Sequence, residues 1–101
     1  MITVNVASQF SKHPAGRDNN DGPYNGTKFR RKFLLEPLGA GKSVSINFVG
    51  VRGYGSSFLD EAFGGLVRDG LDAEKLKKLI KIESNDQSLE IEIFSYIDDA
   101  V

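Results

Sequence analysis

The chain contains no cysteine and a single histidine, His13. Missing thiols exclude disulfides, thiolate metal sites and cysteine nucleophiles together. His13 has no second histidine or cysteine to complete a metal site and no nearby nucleophile to serve, so it reads as a loop residue. Neither metal nor cofactor is expected. Charge of one sign is also lacking: 13 Lys and Arg against 14 Asp and Glu leave a net charge of -1. With no global positive excess to condense on phosphates, nucleic acid is disfavoured as a partner. Nowhere do 18 apolar residues run together, and the opening "MITVNVASQF" is too polar for a signal peptide. A cytoplasmic protein without membrane contact is expected, and the "NGT" sequon at Asn25 to Thr27 is then idle.

What is present fits one folded domain over residues 1–101. The length of 101 residues, the apolar fraction of 40% and the charged fraction of 27% match a small globular unit with a single core. In "ITVNV", Ile2, Val4 and Val6 alternate with Thr3 and Asn5, which predicts a first strand that can run on to Phe10. Residues 11–26 shift to Gly, Asn, Asp and Pro, with turn dipeptides at Asp21-Gly22 and Asn25-Gly26. So long a connection is either mobile or held in place for a purpose. Thr27 is placed to cap a helix with Phe29, Phe33 and Leu34 on one face, ended by Pro37. "SVSINFV" over 43–49 is a second strand, with Val44, Ile46 and Phe48 on one face.

Phe58, Leu59, Ala62, Phe63, Leu66 and Val67 form a wide apolar stripe on a helix that stops near Gly70. "DAEKLKKL" predicts a short helix capped by Asp72, and "LIKIE" a third strand. The last segment, "SLEIEIFSYI", alternates like a strand, yet Leu89, Ile93, Phe94, Ile97 and Val101 share a helical face. A capping-box spacing from Ser84 to Gln87, with Asp86 beside it, favours helix. Strands separated by helices imply crossovers and a mostly parallel or mixed sheet of about four strands, the α/β class.

Two segments invite a chemical reading. "LGAGKS" at Leu38 to Ser43 resembles the tail of a phosphate-binding loop, but Glu36 stands where the first glycine belongs and a strand follows where a helix is needed. It reads as a turn. "RGYGSSFLDEAFGG", Arg52 to Gly65, admits three readings: a phosphate cradle, a modifiable serine switch, or a capped helix. Gly53 and Gly55 allow a sharp turn, and Ser56 or Ser57 can cap the helix, with Asp60 at a capping-box distance from Ser57. Asp60 and Glu61 add negative charge where an anion would bind, and the glycine spacing of a nucleotide fingerprint is absent, which weighs against a cradle. A catalytic serine would lack its base, so no enzyme is expected. A serine exposed at a strand-to-helix turn is open to a kinase.

Basic residues gather early, at Lys12, Arg17, Lys28, Arg30, Arg31 and Lys32, and acidic ones later, at Asp60, Glu61, Asp98 and Asp99. Arg17, Arg30 and Arg31 could grip an anion in a small-anion or nucleotide-binding module, or simply form a solvated face.

"FSKHPAGR", "GPYNGTKFRRKFLLEPL" and "YGSSFLDEAFGGLV" resemble the STAS-like domain family of prokaryotes, distantly similar to the STAS fold of anti-sigma factor antagonists. In those antagonists a serine at a helix N-terminus is phosphorylated by a histidine-kinase-like ATPase. The resemblance implies a small α/β fold and a non-catalytic regulatory module that docks onto a protein partner, with such an ATPase as the implied partner. It puts Ser56 or Ser57 at the switch position. Docking is then expected through the loop and helix around the serines, with Tyr54, Gly55, Phe58, Asp60, Glu61, Gly64 and Gly65 as candidate docking residues. The antagonists typically carry Asp-Ser-Ser-Gly there, where this chain has Gly55-Ser56-Ser57-Phe58.

Overall fold

In the computed structural model, which describes residues 1–101, three parallel strands lie in the order β1-β2-β3: β1 (Ile2–Asn5), β2 (Val44–Asn47) and β3 (Ile80–Glu83). The register puts Ile2, Val44 and Ile80 in one row and Val4, Ile46 and Ile82 in another. Side chains alternate across a strand, so these rows build an apolar face, and Thr3, Ser45, Lys81 and Asn5, Asn47, Glu83 make a polar one. Three strands suffice where about four were expected. The first strand stops short of Phe10: Val6–Gln9 is a helical turn, α1. Asn5 explains the break, because its side chain accepts from the Ser8 amide at 3.1 Å while Gln9 accepts from the Asn5 amide at 2.5 Å. Two local bonds outcompete continued pairing.

Four further helices follow. Gly26–Phe29, Arg30–Leu34 and Leu35–Gly39 run on as one helix, α2, whose middle segment is a π-turn. Ser56–Leu59, Asp60–Gly64 and Gly65–Arg68 likewise make one helix, α3, again with a central π-turn. In each case an amide reaches back five residues, Leu35 to the Arg30 carbonyl and Gly65 to the Asp60 carbonyl. α4 is Ala73–Leu79 and α5 is Leu89–Asp99, so the final segment is a helix. No helix is long and apolar enough to cross a membrane.

Helix boundaries and the turn after β2 differ from expectation in five places. Asn25, not Thr27, caps α2, accepting from the Lys28 amide at 2.9 Å. Pro37 does not end α2, which continues to Gly39; the wider π-turn just upstream gives room for a proline ring. Neither Ser56 nor Ser57 caps α3: Gly55 holds the cap position without a side-chain bond. The turn after β2 bends at Gly50 (φ 91), not at Gly53 or Gly55. At α5 the Ser84 to Gln87 box is not formed, and Ser88 is the cap residue.

Asp72 does cap α4 as expected, accepting from the Lys75 amide at 3.0 Å. Asp72→Ala should therefore lower stability by about 1 kcal/mol in urea melts. A shift below about 0.3 kcal/mol would mean that water replaces the cap.

The core of 19 buried apolar residues joins strand residues Val4, Val44 and Ile46 to Leu34, Phe58, Phe63, Leu66 and the α5 stripe Leu89, Ile93 and Ile97. Aromatic rings tie the loop to it. Tyr24 packs edge-on to Phe10 at 5.5 Å, Phe10 edge-on to Phe29 at 5.2 Å, and Phe29 lies 5.6 Å from Phe58. Such contacts add to area burial and fix ring orientation. The 11–25 connection is thus held rather than loose. The Ala15 amide bonds the Tyr24 carbonyl at 2.9 Å, the Gly26 amide the Gly16 carbonyl at 2.9 Å, and the Arg52 amide the Lys12 carbonyl at 2.8 Å.

Candidate functional site

The loop, α2 and α3 meet in an ion-pair cluster. Asp60 and Glu61 lie at the fifth and sixth residues of α3, beyond its first turn, because the helix begins at Ser56. Arg17, from the loop, bonds Asp60 Oδ2 at 2.7 Å and comes within 3.7 Å of Glu61 Oε1. Arg30, from α2, is buried; its Nη1 bonds Glu61 Oε2 at 2.9 Å and also the Glu61 carbonyl, and its Nε bonds Asp69 Oδ2 at 2.9 Å. Arg68 completes the set from two turns on, with Nη2 3.1 Å from the Asp60 carbonyl and Nη1 3.5 Å from Oδ1. The hydrogen bond to Asp60 holds the Arg17 guanidinium above its ordinary pKa. The acidic pair of α3 is therefore matched by cations, and the segregated charges of the sequence find each other across the fold.

Beside this cluster a cleft of about 400 Å³ is lined by Arg17, Ser56, Asp60, Arg68, Tyr96, Asp99 and Ala100. Ser56 is exposed and Ser57 half-buried. Tyr96 donates to Glu92 Oε2 at 2.8 Å. That bond pushes its phenol up in pKa, while the neighbouring Ser56 hydroxyl acts weakly the other way. The Ser56 hydroxyl, at the first helical position, shares this cleft with two guanidinium groups and a phenol, which are donors to added negative charge, and with the carboxylates of Asp60 and Asp99.

The other expected site residues divide. Tyr54 is half-buried, packs edge-on to Phe48 at 5.6 Å and reaches Asp86 at 3.4 Å; burial pushes its pKa up, and Asp86 adds to that. Gly55 is exposed. Phe58, Gly64 and Gly65, expected at a docking surface, are buried instead: Phe58 closes the aromatic core, Gly64 packs against α5, and Gly65 lies under the Arg30 guanidinium. Of the three arginines expected to bind an anion, Arg17 and Arg30 are taken by carboxylates and only Arg31 is unpaired. Arg68, Asp69 and Tyr96 were not singled out from the sequence. Arg68 is eight residues beyond Asp60, a same-face spacing that could have flagged it, whereas nothing local marks Tyr96.

No curated protein and no solved structure matches the chain. Residues 25–90 match a family described as "STAS-like domain of unknown function (DUF4325)". That span takes in α2, β2, α3, α4 and β3 together with Arg30, Ser56, Asp60, Glu61, Arg68 and Asp69. The match covers well over half of the chain and fits its parallel α/β architecture, and the chain belongs to this STAS-like family.

Proposed function

We propose that the chain is a non-catalytic, cytoplasmic regulatory module that docks onto a protein partner and is switched by phosphorylation of Ser56. One observation carries the reading: Ser56 is exposed at the first helical position of α3 and shares its cleft with Arg17 and Arg68. Ser57, half-buried, is the weaker of the two candidates. A phosphate on Ser56 brings nearly two negative charges and strong acceptor oxygens to a helix start. It competes with Asp60 for Arg17 and Arg68, the two cations that line the same cleft.

The consequence is conformational. Arg17 anchors the 11–25 loop to α3 through Asp60 at 2.7 Å, so drawing Arg17 toward Ser56 changes how that loop lies over the helix. The docking surface is then the rim formed by the exposed Gly55 and Ser56 with the half-buried Tyr54 and the paired Asp60 and Glu61. The partner class implied by family likeness is a histidine-kinase-like ATPase. A serine without a nearby histidine base or any cysteine supports a modified residue over a catalytic one.

The test is to incubate the protein with ATP and the ATPase encoded nearest to it, and to measure intact mass. One phosphate should be gained by the parent and by Ser57→Ala, and none by Ser56→Ala. Absence of both mass gain and co-elution without ATP would sink the proposal.

A further inference from the structure

A cleft of about 720 Å³ is lined by Asp18, Asn19, Asn20, Asn25, Thr27, Lys28, Arg31 and Lys32, with no hydrophobic residue among them. Lys28, Arg31 and Lys32 follow the i, i+3, i+4 spacing of one helical face, where like charges destabilise a helix unless something neutralises them. None of the three forms an ion pair, as is true of most of the chain's lysines and arginines, and Lys32 Nζ lies 5.3 Å from the centre of the Phe33 ring. The opposite wall is built rather than loose. Asn25, 1% exposed, donates from Nδ2 to Asn19 Oδ1 at 3.0 Å and to the Gly22 carbonyl at 2.9 Å, and Asp18 Oδ1 accepts from the Asn20 amide at 2.9 Å. The cleft therefore joins a cationic wall to a polar wall of Asp18, Asn19 and Asn20.

We infer that this cleft binds a small phosphorylated sugar. Its volume falls in the ordinary range of small-molecule sites, but this one is lined by no hydrophobic residue and gives a nucleobase no aromatic ring to stack on. Three cations suit a phosphate, with Arg31 able to engage it through two parallel N-H bonds. Asp18 decides the rest of the ligand: a carboxylate repels a bare phosphate yet accepts hydrogen bonds from hydroxyl groups, as do Asn19 and Asn20. The hydroxylated body faces the loop and the phosphate faces α2. This site is separate from Ser56 and does not depend on its phosphorylation.

The experiment is an NMR titration of the whole chain with ribose 5-phosphate and, separately, with inorganic phosphate, following backbone amides. Ribose 5-phosphate should move the resonances of residues 18–20 and 27–32 and bind at least tenfold more weakly to the Lys28→Gln/Arg31→Gln double variant. Both positions are exposed, so the variant keeps its fold, verified by unchanged core resonances. Asp18→Asn should reduce the preference for the sugar phosphate over inorganic phosphate. Lys81→Gln, on the exposed face of β3, should bind like the parent. The inference is overturned if neither probe moves these resonances, if the double variant binds as tightly as the parent, or if inorganic phosphate binds as well as the sugar.

Discussion

Replacing Arg30 by methionine should cost about 3 kcal/mol of folding stability, at the lower end of the range for removing one member of a buried ion pair. The side chain is only 6% exposed and serves three acceptors: the Glu61 carboxylate, the Glu61 carbonyl and Asp69. Methionine fills similar space but donates nothing, leaving the Glu61 carbonyl without its partner and the Glu61 carboxylate with only the more distant Arg17 and Arg68, at 3.7 and 4.0 Å. Two facts set the lower end. The Glu61 and Asp69 side chains keep 20% and 37% exposure, so water recovers part of the loss. Thr27 Oγ1 also stays 3.4 Å from Glu61. A loss of this size is a large share of the total stability of a small domain, and urea denaturation reads it directly. The Arg30→Met/Glu61→Gln double variant should lose less than the sum of the single changes, because each single change strands the other's partner. A cost under about 1 kcal/mol for Arg30→Met would show that the cluster does not hold α2 to α3.

Gly26→Ala should also destabilise, by about 1–3 kcal/mol, although alanine is the better helix former. Gly26 is where α2 approaches α3 most closely. A Cβ there would lie 2.7 Å from the Phe58 carbonyl oxygen, 2.8 Å from Glu61 Cβ and 2.9 Å from the Ala62 amide nitrogen. Two of these are backbone atoms, so no rotamer change relieves the clash. Gly39, at the other end of the same helix, is the internal control: its nearest neighbour would be Leu71 Cδ2 at 3.9 Å, an ordinary contact. Gly39→Ala should leave stability unchanged or slightly raised. Opposite signs for two identical substitutions in one helix, measured by thermal melts, isolate helix approach from helix propensity. Equal signs would remove the argument.

What could be recognised beforehand was local. Alternation in "ITVNV" and "SVSINFV" marks strands because period two is a direct imprint of a one-sided sheet, and Asp72 marks a helix start because its oxygen reaches an amide three residues on. The stripe of Leu89, Ile93 and Ile97 identifies α5 for the same kind of reason. What escaped was relational. Arg17 and Asp60 are separated by 43 positions, and no pattern of either segment states that their charges cancel. The acidic α3 expected from the sequence is therefore neutralised by partners invisible to a scan along the chain. Phe58 was assigned both to the core stripe and to the docking surface, and its burial resolves that conflict in favour of the core.

The two π-turns have a further consequence, best put as a matter of phase. Each α-helical residue advances about 100° around the axis, and a π-turn inserts one extra residue without lengthening the core contact. In α2 the step from Phe29 to Leu34 spans that insertion, and both side chains point inward where an unbroken α-helix would turn them apart. Each bulge therefore rotates everything downstream: Leu38 in α2, Leu66 and Arg68 in α3. Among relatives, a one-residue gap within 30–34 or 60–64 is then not a neutral deletion. It would swing the far half of that helix by about a quarter turn, and in α3 it would carry with it Arg68, which lines the Ser56 cleft.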